Sequence, residues 1–334
     1  MPTIQFEGDD WDVLSRLERD RFLDDINLVP ARWAEEQEFK IPGSGLVSIF
    51  NMDVELPDNI TKNPNWVCRV EKDEISGWDV EKFLIGGRVL CAKVGFRSLS
   101  GTGMQDQARF EKSLGILPDY ISALSIDFCF GDLSLSSIAG RFKNLSGLSL
   151  DKFVSADVSM LACLNELKYL SLSDCGKLVQ LPALTNLNRF KIVSCNKIQS
   201  IGSLAQSQSL TMLIVIECPG LLDFTFLQQI KHLASLTIRE SNIKDVSFIS
   251  ELTSLKRVDL RRCFNIQTGL DLKNLKGLSH FYLGEYPRQR SLSKLSEGSL
   301  INLIINLEFL RHNTDLEVLS LRWCGCLETL LGID

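Results

Sequence analysis

The sequence predicts an α/β solenoid: parallel β-strands along one face, 3-10 or extended turns along the other, and a small α+β unit at the N-terminal end. Three observations carry that prediction. First, a frame of apolar residues recurs from residue 121 to residue 324, its starts 24, 22, 20, 23, 23, 22, 23, 22 and 16 residues apart. Second, apolar residues between frames fall at every third position. Third, six of the ten cysteines occupy the same place in the frame.

Residues 1–115 contain no repeat and are read as a separate capping unit, with the solenoid occupying 116–334. Four of the five tryptophans lie here, Trp11, Trp33, Trp66 and Trp78. DDWDVLSRLERDRFLDDIN reads as a helix with Trp11, Leu14, Leu17 and Phe22 roughly on one side. KFLIGGRVLCAKVGF reads as a hairpin, two apolar runs around Gly86–Gly87. SLSGTGMQDQ, Ser98 to Gln107, reads as a connector. A solenoid needs such a unit because a terminal repeat otherwise exposes core.

The frame is L-x-x-L-x-L-x-x-C. Leu167/Leu170/Leu172/Cys175 fill it, as do Leu187/Phe190/Ile192/Cys195, Leu210/Leu213/Val215/Cys218, Leu233/Leu236/Ile238/Ser241, Leu255/Val258/Leu260/Cys263 and Leu316/Leu319/Leu321/Cys324. Upstream, Ile121/Leu124/Ile126/Cys129 and Leu145/Leu148/Leu150/Phe153 fit. Leu278/Phe281/Leu283/Tyr286 and Leu300/Leu303/Ile305 fit less fully, giving about ten repeats. The fixed residues point inward from a short strand and the x residues between them point outward, because side chains alternate along a strand. After each strand the spacing becomes three, as in Leu221, Phe224, Leu227, Ile230 and Leu233, and Ile243, Val246, Ile249, Leu252 and Leu255. Side chains at i and i+3 eclipse in a 3-10 turn, so this spacing predicts short 3-10 turns rather than long α-helices. Gly176, Asn196, Gly220, Asn265 and Gly325 follow the ninth position, where a tight turn is expected.

Charge and composition narrow the function. The net charge is −6. Residues 1–120 carry 22 acidic against 14 basic side chains, a net of −8, and the rest carry a net of +2. That is not the basic footprint of a general nucleic-acid binder; it suits a protein partner steered by charge. There is no run of 18 apolar residues, and the acidic N-terminus lacks a signal-peptide core, so a cytoplasmic chain with reduced thiols is expected.

No catalytic or metal-binding pattern stands out. The three histidines, His232, His280 and His312, read as solvated. Cys324-x-Cys326 has no second ligand pair at zinc spacing. Gly43-Ser44-Gly45 and Gly101-Thr102-Gly103 lack the GK[ST] ending of a phosphate loop. Cys163 reads as core or near-core, and Cys91 as part of a strand. No enzyme activity, cofactor or metal is expected.

The frame, its period and its cysteine resemble the leucine-rich repeat family over about residues 116–334, and the short 3-10-like repeats resemble its internalin-like class. The resemblance implies a horseshoe with its strands on the concave face, and a ninth residue buried at the bend and bonded to neighbouring backbone. It also implies a concave surface that binds protein. Outward positions there are Asp127, Asp151, Tyr169, Arg189, Lys191, Ile214, Ile216, Arg239, Arg257, Asp259, Arg261, Arg262, Tyr282, Arg322 and Trp323, with Met212, Ile214 and Ile216 forming an apolar patch. The expectation is a non-enzymatic binder of a toxin or enzyme, an inhibitor or immunity protein. The wording LSLSDCGKLVQLP also resembles plant immune receptors, which gives a recognition or scaffold module as the alternative. An effector active through residues 1–115 is the third reading.

Overall fold

In the computed structural model of the protein, the nine frames that lie among the described residues become five-residue strands; the second and fourth side chains are buried from the Ile121 frame to the Leu278 frame, while Leu319 and Leu321 of the last strand are half-buried. The structure describes residues 45–49, 66–75, 78–85, 88–96, 107–127, 135–153, 157–267, 270–284 and 308–322. The helix expected at residues 9–27, most of the connector, the Leu300 frame, Cys129, Trp323, Cys324 and Cys326 lie outside the described residues. The chain divides into two units, residues 1–173 and 174–334.

The first unit contains β1 (Gly45–Ile49), β2 (Trp66–Ile75), β3 (Trp78–Ile85), β4 (Arg88–Phe96), α1 (Gln107–Gly115), β5 (Ala123–Asp127), α2 (Ser136–Arg141), β6 (Gly147–Asp151) and β7 (Tyr169–Ser173). The predicted hairpin forms, with Ile85 paired to Arg88. β2 pairs antiparallel with β3, and β1 pairs parallel with β2. The last hairpin strand, β4, then pairs in parallel with β5, Cys91 opposite Ala123. The first repeat strand therefore has no open edge. α1 was not predicted, and it begins where the connector was expected to end. In the first repeat the turn is the α-helix α2 rather than a 3-10 turn: the N–H of Ala139 donates to Leu135 O and that of Phe142 to Ile138 O. This repeat is one of the longest, and the added length accommodates the wider turn.

The second unit contains β8 (Arg189–Val193), β9 (Met212–Ile216), β10 (Ser235–Arg239), β11 (Arg257–Arg261), β12 (His280–Gly284) and β13 (Val318–Arg322). They pair in parallel and in sequence order, Arg189 with Met212, Met212 with Ser235, Ser235 with Arg257, Arg257 with His280 and His280 with Val318. β12 pairs directly with β13. The Glu317 N–H donates to Ser279 O, the entry bond that Ser279 itself makes to Lys256 O one repeat earlier. The 316 frame is thus stacked on the 278 frame.

The convex turns follow the period-three spacing. 3-10 segments occupy Ser159–Cys163, Gly202–Gln206, Thr225–Gln229, Ser247–Glu251 and Glu308–Leu310. After the residue that opens the turn, the apolar residues donate their N–H to the carbonyl of the one before: Ile249 to Val246 O at 3.0 Å, Leu252 to Ile249 O at 3.0 Å and Leu255 to Leu252 O at 3.0 Å. Core stripe and hydrogen-bond ladder share one period, and these side chains are buried. The turns begin on a signal absent from the frame. Asp157, Asp223 and Asp245 accept the N–H of Ser159, Thr225 and Ser247, each at 2.9 Å. A carboxylate there satisfies a backbone donor that the turn leaves open. The hydroxyl of Ser159, and after it the N–H, lowers the pKa of the Asp157 carboxyl from its ordinary value, and those of Thr225 do the same for Asp223.

Two positions that normally hold an apolar residue three before the next frame are polar. Ser207 Oγ donates to Leu184 O of the preceding repeat. Asn313 Nδ2 donates to Leu272 O at 3.0 Å and Leu275 O at 2.8 Å. Both side chains are buried; Ser207 recovers in its hydrogen bond what it loses in apolar contact, and Asn313 does so through Nδ2 while its Oδ1 is buried without a partner among the described residues.

The glycines after the ninth position differ. A Cβ on Gly220 would sit 2.5 Å from Ile198 O, whereas one on Gly176 would meet nothing within 4 Å. Close approach of the neighbouring repeat, not a left-handed dihedral, explains Gly220. Gly220→Ala is expected to cost about 1–3 kcal/mol through a forced backbone shift, while Gly176→Ala leaves stability unchanged or slightly raised. Urea unfolding of the two variants side by side checks this.

Candidate functional site

On β8–β13 the outward residues form three columns. The first runs Arg189, Met212, Ser235, Arg257, His280 and Val318, and the second Lys191, Ile214, Thr237, Asp259, Tyr282 and Ser320. The third contains Val193, Ile216 and Arg239, then Arg261, Gly284 and Arg322. The predicted register is therefore correct. Arg189, Lys191, Ile214, Ile216, Arg239, Arg257, Arg261 and Tyr282 are half-buried. The apolar patch is smaller than predicted, because Met212 is 9% exposed and belongs to the core. On the first unit, Asp127 ends β5 and Asp151 ends β6. Tyr169 is a correction. It is 2% exposed, and it lies opposite Gly147, which has no side chain to hold the ring away from the sheet.

Asp259 is also corrected. It lies outward by register, yet its side chain is fully buried. Arg239 Nε donates to Asp259 Oδ2 at 3.0 Å, Arg261 Nε to Oδ1 at 3.0 Å and Arg261 Nη2 to Oδ2 at 2.9 Å. The two guanidiniums close over the carboxylate and remove it from any ligand's reach. Burial pushes the Asp259 carboxyl up, but the hydrogen bonds and charges of Arg261 and Arg239 together hold it below the usual range.

Around this clamp is the most concentrated recognition chemistry of the face. The Arg257 guanidinium lies 4.7 Å from the Tyr282 ring centroid and that of Arg261 lies 5.0 Å from it. The His280 ring stacks on the same tyrosine at 6.4 Å. Among the described residues no carboxylate reaches Arg257, and the Tyr282 hydroxyl makes no hydrogen bond. A cleft of about 570 Å3 opens beside them, lined by Arg261, Tyr282, Val318, Leu319, Ser320 and Leu321.

The eighth position does not point outward as a simple strand residue. Lys152, Asp174, Ser194, Glu217, Glu240 and Arg262 all have φ between 52° and 61°. That left-handed bend ends the strand, yet the N–H stays in use: Glu217 donates to Arg239 O, Glu240 to Arg261 O and Arg262 to Gly284 O. Arg262 is thereby turned onto Glu240, with Nη1 to Oε1 at 2.6 Å, and faces a carboxylate of its own chain. The left-handed bend was not legible in the frame, because none of the six is glycine.

The ninth-position cysteines among the described residues, Cys175, Cys195, Cys218 and Cys263, are buried as predicted. Cys195 Sγ donates to Val193 O at 3.4 Å, Cys218 Sγ to Ile216 O at 3.4 Å and Cys263 Sγ to Ile238 O at 3.1 Å. Burial pushes the thiols of Cys218 and Cys263 up to about 12. The thiol–thiol hydrogen bond with Cys175, followed by burial, drives Cys195 further up. Such thiols stay protonated and inert. Cys163 corrects the prediction of a core residue, since it is exposed at the end of its 3-10 turn. A thiol reagent applied to the native protein is expected to modify Cys163, while Cys175, Cys195, Cys218 and Cys263 react only on unfolding. Peptide mapping after labelling reads the two sets.

His232 and His312 are exposed, as predicted. Among the described residues no group of three or more His, Cys, Asp or Glu side chains could hold a metal ion. No described helix is long and apolar enough to cross a membrane.

Parallel five-residue strands, buried second and fourth side chains, a buried Cys or Ser at the bend and a 3-10 return make one repeating unit. The repeats are leucine-rich repeats. No family model matches this chain, and no curated protein matches it significantly. Similar solved structures are leucine-rich-repeat proteins. An internalin from Listeria monocytogenes is 17% identical, with 67% of this chain and 59% of that one covered at a TM-score of 0.39. A leucine-rich-repeat protein of Leptospira interrogans is 16% identical over 67% and 53% at 0.38. The leucine-rich-repeat domain of the type III effector XopL is 16% identical over 63% and 75% at 0.35. The chain thus spans about three fifths of the length of that internalin.

Proposed function

We propose that this leucine-rich-repeat chain is a non-enzymatic protein that binds a partner protein on the β8–β13 face, as an inhibitor or immunity protein occupying a toxin or enzyme. The observation that supports it most is the set of interaction groups left unused on that face: Arg257 without a carboxylate, Tyr282 without a hydrogen bond, and half-buried Ile214 and Ile216. Arginine and tyrosine are the residue types that dominate binding energy at interfaces. A hydrogen-bonded sheet holds them in place before binding, which lowers the entropic cost of association.

The test is affinity capture from the native host, using the full chain beside an Ile214→Asp/Arg257→Glu variant with an unchanged thermal midpoint. Arg239 and Arg261 are unsuitable for substitution because they hold Asp259. A partner retained by the unaltered chain alone supports the reading. One retained equally by both moves the site elsewhere. An inhibitor must also suppress the captured partner's activity when mixed with it in equal amount. Undiminished activity rejects that role in favour of recognition or scaffolding.

A further inference from the structure

This inference rests on the protein-binding reading and names the chemistry of what is bound. Four features coincide on β11–β13. Arg257 stacks on Tyr282 at 4.7 Å with no acid opposite it among the described residues. The one acidic side chain in the three columns of the second unit, Asp259, is fully buried and held by Arg239 and Arg261. The next acidic side chain along the strand ends, Glu240, is taken by Arg262. The adjoining cleft has a cationic and aromatic rim in Arg261 and Tyr282 and aliphatic lining in Val318, Leu319 and Leu321.

We infer that this surface binds an acidic segment of the partner protein, in which an Asp or Glu carboxylate engages Arg257 and a neighbouring apolar side chain enters the cleft against Tyr282. A guanidinium held against an aromatic ring keeps its outer N–H donors in a fixed plane, the geometry that a carboxylate accepts in two parallel bonds. Partial burial of Arg257 strengthens that pairing by limiting water. The pairing also replaces an unmatched charge with a matched one, which sets specificity as well as affinity. The Tyr282 hydroxyl adds a donor for a backbone carbonyl or a second carboxylate oxygen. The cleft volume of about 570 Å3 is in the range of pockets that enclose small ligands and single side chains. A nucleic acid also carries anions, but Val318, Leu319 and Leu321 suit an apolar side chain beside the carboxylate rather than a second phosphate.

Panning a displayed library of random short peptides on the full chain tests this without knowledge of the partner. Enriched peptides are expected to place Asp or Glu beside Leu, Ile or Phe. A synthetic peptide of the enriched sequence is expected to bind about tenfold more weakly to Arg257→Gln, about tenfold more weakly when its acid is replaced by the amide, and more weakly as salt rises. Tyr282→Phe keeps the stacking and is expected to lose less than Tyr282→Ala. Enriched peptides that lack acids but compete with a captured partner overturn the inference while leaving the protein-binding reading intact. Equal binding to Arg257→Gln, a library that yields nothing, or a labelled oligonucleotide that binds with the same Arg257 dependence overturns it as well.

Discussion

Replacing both Arg239 and Arg261 with alanine is expected to lower stability by about 3–5 kcal/mol, because Asp259 is then left buried with no cation. The side chain has no solvent contact, and these two arginines supply its charge-assisted hydrogen bonds. Each single substitution leaves the other guanidinium in place and is expected to cost well under the double. A triple variant that also carries Asp259→Leu removes the orphaned charge and is expected to recover most of the loss. Chemical denaturation of the set reads all four values.

The pH dependence of the same set provides an independent sign test. In the unaltered protein the Asp259 carboxyl lies below its unfolded value of about 3.9. Its contribution is therefore present in full above that unfolded value and is lost as pH falls through the folded value beneath it. In the double variant burial acts alone and raises the folded value above the unfolded one. Protonation then favours the folded state, so stability gains from this group as pH falls through the raised value. The two profiles slope in opposite directions. Parallel profiles would show that the arginines do not set this group's ionisation.

Phe224→Ala is expected to cost about 3–5 kcal/mol. Phe224 is 1% exposed and opens the 3-10 turn of its repeat, where its carbonyl accepts the Leu227 N–H at 3.0 Å. Its ring stacks on Phe248 of the next repeat with centroids 6.0 Å apart. The loss is therefore a cavity plus an aromatic pair spanning two repeats. Phe248→Leu keeps most of the volume and is expected to cost less than half as much. Thermal unfolding that shows Phe224→Ala no more harmful than Phe248→Leu would mean that the convex side collapses around the cavity.

Some of this molecule could be read from the chain alone, and the reason is local. Inward leucines at alternate positions and apolar residues at every third position are set by strand and 3-10 geometry, which act over a few residues. Hence the strands at Arg189–Val193, Met212–Ile216 and their successors, the turns at Thr225–Gln229 and Ser247–Glu251, the buried cysteines and the hairpin ending at Phe96 were all legible. Nothing local revealed that six non-glycine residues take left-handed dihedrals, since that bend is fixed by bonds to the following strand. Nor could spacing show that the strands of the Leu278 and Leu316 frames pair directly, because β12 and β13 choose each other across a long stretch of chain.

The outward face divides in the same way. Its columns followed from sequence, since side-chain alternation fixes which residues point away from the core. What those residues do depends on neighbours some 20 positions away, and only the tertiary structure decided it. Asp259 became a buried anion because Arg239, from the preceding strand, and Arg261, from its own, reach it together. Tyr169 sank into the sheet beside Gly147. Arg257 kept its charge available because the following strand set a tyrosine ring, not a carboxylate, against it. Charge pairing and burial are properties of residues brought together in space, and the order of residues along the chain does not contain them.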